Sequence, residues 1–319
     1  MRVAITGGTG SLGSALVKQL AQAGAERIVT FSRDEQKRLA LQAEFRWHPG
    51  VKVYAGDVRD RSRMEDIFSG CEVVIHAAAR KVVSGHHDEP MEMHRTNVEG
   101  TLNVAASARS AGVRKLLFVS SDKAVHAENC YGMSKALAEQ LVISENARSW
   151  SHGLRLSVVR YGNVIASNGS VVRLWRQCLA DGKPLPVSDT RMTRFWLTID
   201  QAASYVLRAV ADMRGGEVFI PLLKAARLMT VLEAIASPRT IVNRDLYCDP
   251  QQQYCLLPIG IRAGGEKLYE ELLSSDEIRR AVCRNGFVVV PPPTTIDSWD
   301  VTPWLGEAVG SDFEYRSDT

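Results

Sequence analysis

The first 165 residues predict a doubly wound α/β fold, a parallel sheet covered by helices on both faces. Two observations carry that prediction. Short β-branched apolar runs alternate with amphipathic stretches, and the first run feeds directly into a glycine-rich turn. The expected strands are residues 2–6, 27–31, 51–55, 73–76, 115–120 and 156–161. Each is a brief run rich in Val, Ile, Leu or Phe, the pattern of a strand buried on both faces. Between them, stretches such as 11–23 and 133–146 place apolar residues three and four apart, which is helical spacing.

After Tyr161 the alternation breaks. Asn168-Gly169-Ser170 and the 182–186 stretch punctuate an irregular region before a helix at 200–213 and a strand at 217–221. Another helix follows, then a charged, helix-like stretch at 266–280. The run Pro291-Pro292-Pro293 reads as the end of packed structure. The division expected is a nucleotide-binding unit of 1–165 plus about 196–221 and a smaller, discontinuous one of about 166–195 plus 222–300. Residues 301–319 read as a tail.

Composition narrows the function classes. A chain of 319 residues is long enough for about two domains. With 39 Lys+Arg against 36 Asp+Glu, the net charge of +3 argues against nucleic acid or an anionic membrane as partner. No run of about 18 apolar residues marks a spanning helix. The N-terminus MRVAITGGTG is a strand entering a turn, without a signal-peptide core, so a cytoplasmic location is expected. Six scattered cysteines, with no CxxC, read as reduced thiols and no metal is expected; His86, His87, Asp88 and Glu89 read as a polar loop.

The turn Thr6-Gly7-Gly8-Thr9-Gly10-Ser11-Leu12-Gly13 has the spacing of a Rossmann-type phosphate cradle. Gly7 permits the tight turn, Gly10 the approach of a pyrophosphate, and Gly13 the packing of helix on strand. The second strand ends Thr30-Phe31-Ser32-Arg33, where NAD sites place an acid on the ribose hydroxyl. Ser32, Arg33 and then Lys37 can instead donate to a 2′-phosphate, so NADP is the expected cofactor. Asp57 and Val58 suit the adenine edge, and Ala77 and Ala78 lie beneath the dinucleotide.

The fifth strand runs into Ser121-Asp122-Lys123, and Tyr131 and Lys135 follow, four apart on one helix face. An ammonium beside a phenol favours the phenolate and makes Tyr131 a base, and Ser121 can hydrogen-bond the same substrate oxygen. Asp122 and Lys123 are neighbours that a regular strand would point to opposite faces. They share a site only if the chain turns after Ser121.

On these residues the chain resembles an extended short-chain dehydrogenase/reductase. Within that group it resembles the soluble, inverting UDP-N-acetylglucosamine 4,6-dehydratases, in the stretches FSRDEQKR, GDVRD, HAAARK, SSDKAVHAENCYGMSK, VVRYGNVIASNGSVV, RMTRFW and GIRAGGEKLYEE. The resemblance implies oxidation at C4, deprotonation at C5, loss of water from C6 and return of the hydride to C6, giving a UDP-4-keto-6-deoxy-L-hexose. Tyr131 and Lys135 are then the redox pair, with Asp122 and Lys123 as acid and base. Asn163, Ser170 and Val171 match the segment along the UDP-sugar, Arg194 and Arg262 the diphosphate contacts, Glu266 the uridine ribose, and Lys81 a substrate-side lysine. A homo-oligomer is implied as well. The chain departs from the family's GIRPGEK, since Arg262-Ala263-Gly264-Gly265-Glu266 lacks the proline and has one residue more. Val82-Val83-Ser84 replaces a common His-Val-Pro, and residues 237–258 read as an insertion. Two alternatives stand beside the dehydratase: a nucleotide-sugar 4-epimerase, which needs Tyr131 and Lys135 but not Asp122 and Lys123, and a non-catalytic NADP-binding protein.

Overall fold

A computed structural model describes residues 1–81, 90–236, 254–262, 264–293, 307–310 and 313–319. The polar loop at 86–89, the departure at 82–84 and most of the 237–258 segment lie outside the described residues. Six parallel strands form the centre of one sheet: β1 (Arg2–Thr6), β2 (Arg27–Ser32), β3 (Val51–Ala55), β4 (Val73–His76), β5 (Lys115–Val119) and β6 (Arg155–Val159). Their spatial order is 3-2-1-4-5-6, with a topological switch between β1 and β4, where such sheets bind ligands at the carboxyl ends of the strands.

The strands are apolar on both faces because both are covered. Phe118, Leu116, Val158 and Val29 pack into one core layer; Ile5, Ile28, Ile75, Leu117 and Val119 pack into the other. The first layer meets α3 (Arg61–Phe68), α5 (Gly100–Ser110) and α6 (Cys130–Ser149); the second meets α1 (Ser11–Gln22) and α8 (Ile199–Asp212). On the flank of β2, α2 (Glu35–Glu44) is capped by Asp34. A short α4 (Pro90–Met93) passes into a π-helical turn, His94–Glu99.

The smaller unit gathers β7 (Asn163–Val164), β8 (Leu185–Val187), β9 (Thr193–Leu197), β11 (Lys224–Arg227), β12 (Leu256–Pro258), α7 (Val171–Ala180) and α9 (Leu228–Ile235). Trp175, Leu185, Val187, Met192, Leu228 and Leu232 form its own core. The chain returns to the main sheet at β10 (Val218–Pro221), parallel to β6.

Three expectations are corrected. First, 266–280 is not one helix: only α10 (Ser275–Ile278) is helical. The carbonyls of Lys267 and Leu268 accept from the Arg194 guanidinium, and the Leu268 carbonyl also accepts from Thr193 N, so they are unavailable to a helical ladder. Second, β13 (Val282–Arg284), β14 (Phe287–Val290) and β15 (Glu307–Ala308) extend the main sheet through antiparallel pairing with β10 and each other, rather than joining the smaller unit. Third, the C-terminal residues are not a loose tail. Tyr315 is buried and donates to the Pro221 carbonyl (2.8 Å), and Ser317 Oγ bonds Thr193. Cys255 is disulfide-bonded, against the expectation of reduced thiols throughout; Cys71, Cys130, Cys178 and Cys283 are free. A pairing of this kind depends on how folding brings sulfurs together, which cysteine spacing does not encode.

At the first turn the glycines divide into two kinds. Gly7 has φ +72°, and a Cβ there would fall 2.8 Å from the Ala78 backbone. At Gly13 it would overlap the Gly7 carbonyl oxygen and Gly8 Cα. At Gly10 it would meet only the Gly7 oxygen, at 3.2 Å. Gly13→Ala is therefore expected to lower the thermal midpoint strongly, with an overpacking cost of about 1–3 kcal/mol. Gly10→Ala should leave the melt near that of the parent protein. Equal losses in a calorimetric comparison would contradict this division.

Candidate active site

The site lies at the carboxyl ends of the central strands. Gly10 is the N-cap of α1 and has no side chain to satisfy the first-turn N–H groups, which makes that helix end a ready anion site. Gly7, Thr9 and Gly10 form the turn, and Ser11, Leu12 and Gly13 the first turn of α1. Below it, Ala77 N and Ala78 N are held by Thr6 (3.2 and 3.1 Å). Since the protein's own packing does not explain the bare Gly10, a dinucleotide phosphate fits the space it leaves.

At the tip of β2, Arg33 is half-exposed and its Nη1 stands 3.6 Å from Asp57 Oδ2. Arg59 donates to the same oxygen from Nη2 at 2.7 Å. Ser32 Oγ accepts from Asp34 N, and Lys37 pairs with Asp34 at 3.0 Å. This end is rich in cationic donors, and Arg59, beside Asp57 and Val58, was not singled out from sequence.

Beyond β5 the chain turns as the chemistry requires. Ser121 caps a 3₁₀ turn, Asp122–Ala124, by accepting from Lys123 N. The turn points both neighbours inward: Lys123 Nζ lies 3.1 Å from Asp122 Oδ1, 3.3 Å from Glu270 Oε1 and 3.5 Å from Asn163 Oδ1. Asp122 Oδ1 also accepts from Ser121 Oγ (2.7 Å) and Lys123 N (2.9 Å), while its Oδ2 is buried without a partner. Burial opposes the Lys123 charge, but Asp122 and Glu270 outweigh it and hold the ammonium above the usual lysine range.

Helix α6 starts at Cys130, three residues earlier than expected, because the Asn129 side chain accepts from Gly132 N (2.8 Å). That cap sets Tyr131 in the first turn, buried. Burial pushes its phenol up to about 12; Lys123 and a hydrogen bond with Ser121 pull it down, and Asp122 pushes it up. The cation that eases ionisation of Tyr131 is thus Lys123, whereas sequence pointed to Lys135. Lys135 Nζ instead donates to the Val119 carbonyl (2.6 Å) and sits 3.9 Å from the Phe118 ring centre, and burial brings it down to about 7. Sharing a helix face brings Tyr131 and Lys135 near, but the lysine stem carries its charge to the end of β5.

Asn163, after β6, and Lys81, after β4, also reach the cluster. Burial and the Lys123 charge lower the Lys81 ammonium, against a pull from Asp122. Ser170 stands at the N-terminal boundary of α7, next to Val171, and its buried Oγ has no partner among the described residues. Glu266 accepts from Arg262 N (2.9 Å) and Ser188 Oγ (3.0 Å), which ties the two residues together across the departure. Arg194 is different. It is buried, donating to the Thr193 (2.7 Å), Lys267 (2.8 Å) and Leu268 (3.1 Å) carbonyls, with Nε 3.7 Å from Glu270. Its guanidinium builds the site wall and has little left for a diphosphate. Sequence reasoning quoted the stretch containing Glu270 without singling it out; the two adjacent acids Glu270 and Glu271 were the available signal.

Residues 3–292 match the family model described as polysaccharide biosynthesis protein. The inverting UDP-N-acetylglucosamine 4,6-dehydratase of Campylobacter jejuni is 35% identical over 99% of this chain and 92% of its own. A UDP-glucose 4-epimerase of Rickettsia rickettsii is 36% identical over 87% of this chain and 79% of its own. Among solved structures, Pen from Bacillus thuringiensis superposes with a TM-score of 0.87 at 31% identity, covering 99% of this chain and 92% of that one. A dTDP-glucose 4,6-dehydratase from Streptomyces venezuelae, solved with NAD bound, shares the fold (TM-score 0.68, 21% identity, 86% and 94% covered). With the glycine cradle, the turned Asp122-Lys123 pair and a match over nearly the whole length, the chain belongs to the polysaccharide biosynthesis protein family.

Proposed function

We propose that this protein is an NADP-dependent nucleotide-sugar 4,6-dehydratase, a hydro-lyase that converts UDP-N-acetylglucosamine to a UDP-4-keto-6-deoxy-L-hexose with inversion at C5. One observation carries the reading: Asp122 and Lys123 are turned into the same buried centre that holds Tyr131. An epimerase needs no acid and base beyond its redox tyrosine, so a paired carboxyl and amine there favour elimination. The full-length likeness to an inverting dehydratase supports the same choice.

A nicotinamide dinucleotide held by the Gly10 turn, Arg33, Lys37, Asp57 and Lys135 would supply a reversible two-electron store. Tyr131 takes the proton of the C4 hydroxyl, with Lys123 lowering the cost of its phenolate and Ser121 donating to the oxygen. Once C4 is a ketone the C5 proton is acidic, and Lys123 takes it while Asp122 protonates the departing C6 hydroxyl. Asn163, Ser170, Val171, Lys81, Arg262 and Glu266 line the nucleotide-sugar side. Arg194 serves by holding the wall on which Glu270 stands. Exposed Leu102, Met133 and Leu137 on α5 and α6 support the implied homo-oligomer.

Incubation with UDP-N-acetylglucosamine and NMR of the product tests the reading. A 4-keto-6-deoxy sugar is expected; a C4-inverted sugar with its C6 hydroxyl intact would establish the epimerase instead.

Dividing the labour gives a sharper outcome. Tyr131→Phe should abolish product, dinucleotide reduction and solvent deuterium entry at C5 together. Lys123→Ala should still reduce bound dinucleotide on addition of substrate, more slowly because the Tyr131 phenolate loses its cation, but lose C5 exchange by about 10²–10⁴-fold. Retention of exchange in Lys123→Ala would remove Lys123 from the base role.

For the cofactor, NADP is expected to bind more tightly than NAD in titration calorimetry. Arg33→Asp should reverse that order, since a charge-assisted contact of about 1.5–3 kcal/mol is lost and repulsion added. Equal affinity of the parent protein for both would refute the assignment of Arg33.

A further inference from the structure

A protonated amine cannot take a proton, and Lys123 rests as an ammonium between Asp122 and Glu270. Before it can act as a base its proton must go to a neighbour. The charged and titratable groups around it are Asp122 on its own turn, Tyr131 on α6, Lys81 after β4, and Arg194 and Glu270 from the C-terminal half, with Lys267 behind Glu270. The two carboxylates are the candidate acceptors, and Asp122 is the one that must carry a proton for the C6 hydroxyl.

They are not equivalent. Asp122 Oδ1 is already the focus of three donors, Ser121 Oγ, Lys123 N and Lys123 Nζ. Glu270 is as deeply buried, and its Oε1 lies 3.3 Å from Lys123 Nζ; among the described residues its Oε2, like Asp122 Oδ2, has no hydrogen-bond partner, but no donor from its own backbone turn holds its carboxylate. Its backbone N is held separately by Ser317 Oγ (2.9 Å), so the side chain is not spent on fixing its own segment.

We propose that Glu270 is the proton acceptor for Lys123, a positioning residue that converts the resting ammonium into the C5 base. This rests on the dehydratase reading above. The proton passes from Lys123 Nζ to a Glu270 carboxylate oxygen, an N–H bond breaking as an O–H bond forms. The freed amine pair takes the C5 proton, and the electrons of that C–H bond pass into the enolate of the C4 ketone. Lys123, now carrying the C5 proton, rests again as an ammonium; inversion requires the new proton to enter C5 on the opposite face, and the one Tyr131 took from the C4 hydroxyl balances it. Glu270 passes its extra proton to Asp122, which lost one to the departing hydroxyl, so no net proton is gained or lost. Burial raises the proton affinity of Glu270 although Lys123 and Arg194 oppose it. Neutralising a buried cation and anion together also removes two charges from a poorly solvated centre.

The test is Glu270→Gln in the full chain loaded with dinucleotide, given UDP-N-acetylglucosamine in deuterated water. Dinucleotide reduction should persist and the substrate KM should hold, while C5 exchange falls about 10²-fold or more. Glu270→Asp should recover part of that loss. Exchange as fast as in the parent protein, or faster because Lys123 has lost a counter-charge, overturns the proposal. The parent protein provides an arm that no folding defect can obscure. Its C5 exchange should fall as pH is lowered through an ionisation above the usual carboxylate range, because protonated Glu270 cannot accept. A flat exchange rate across that range overturns the proposal equally. If the parent yields no 4-keto-6-deoxy sugar, it is the dehydratase reading that fails; if it does, and Glu270→Gln exchanges normally, only the role of Glu270 fails.

Discussion

The half-buried charge of Lys123, just beyond β5, is the constraint around which the site is organised. An ammonium cannot be taken from water without partners, and the partners of Lys123 come from distant parts of the chain. Asp122 is its sequence neighbour, Asn163 follows β6, and Glu270 lies nearly 150 residues away in number (270 against 123). Arg194, itself buried, stands on the far side of Glu270 and completes a line of alternating charges. The 3₁₀ turn after Ser121, the irregular path of 266–274 and the docking of the C-terminus through Ser317 all bring these groups together.

A second ionic knot secures the wall behind them. Arg160, just after β6, is buried and donates to both oxygens of Glu139 on α6 (3.1 and 2.6 Å), both of Glu277 on α10 (3.0 and 2.9 Å), and the Leu272 carbonyl (2.9 Å). Glu139 is one helical turn beyond Lys135, and its engagement with Arg160 leaves the lysine to the Val119 carbonyl. The result is a buried amine brought down to about 7 without a tight carboxylate of its own. The same knot ties α6, which carries Tyr131 and Lys135, to the segment leading from Glu270, so the two halves of the site share one frame.

The dinucleotide end follows a different logic, steric rather than ionic. Gly7, Gly8 and Gly13 are bare because the protein itself fills the space a side chain would need. Gly10 is the least crowded of them, meeting only the Gly7 oxygen, and stands at a helix N-terminus, where an anion can come close. His76 beneath this turn is kept neutral by burial, held at about 3, and bridges Thr6 and Thr101 as a structural link.

The periodicity of the first 165 residues determined the parallel sheet: all six central strands lie within one or two residues of the positions the apolar runs indicate, because strands buried on both faces carry their signal locally. The glycine turn and the Ser121, Asp122, Lys123 and Tyr131 constellation were legible for the same reason, since each is a short contiguous pattern. What tertiary structure alone decided are the contacts closed by long loops. It took Lys135 to Val119 and gave Lys123 to Tyr131, and it spent Arg194 on backbone carbonyls. It also brought Glu270 beside Lys123, turned a charged stretch that reads as helix into a loop, and drew β13–β15 and Tyr315 into the body of the protein. Side-chain charge and helical spacing are local properties, whereas the destination of a buried charge depends on which distant partner can neutralise it.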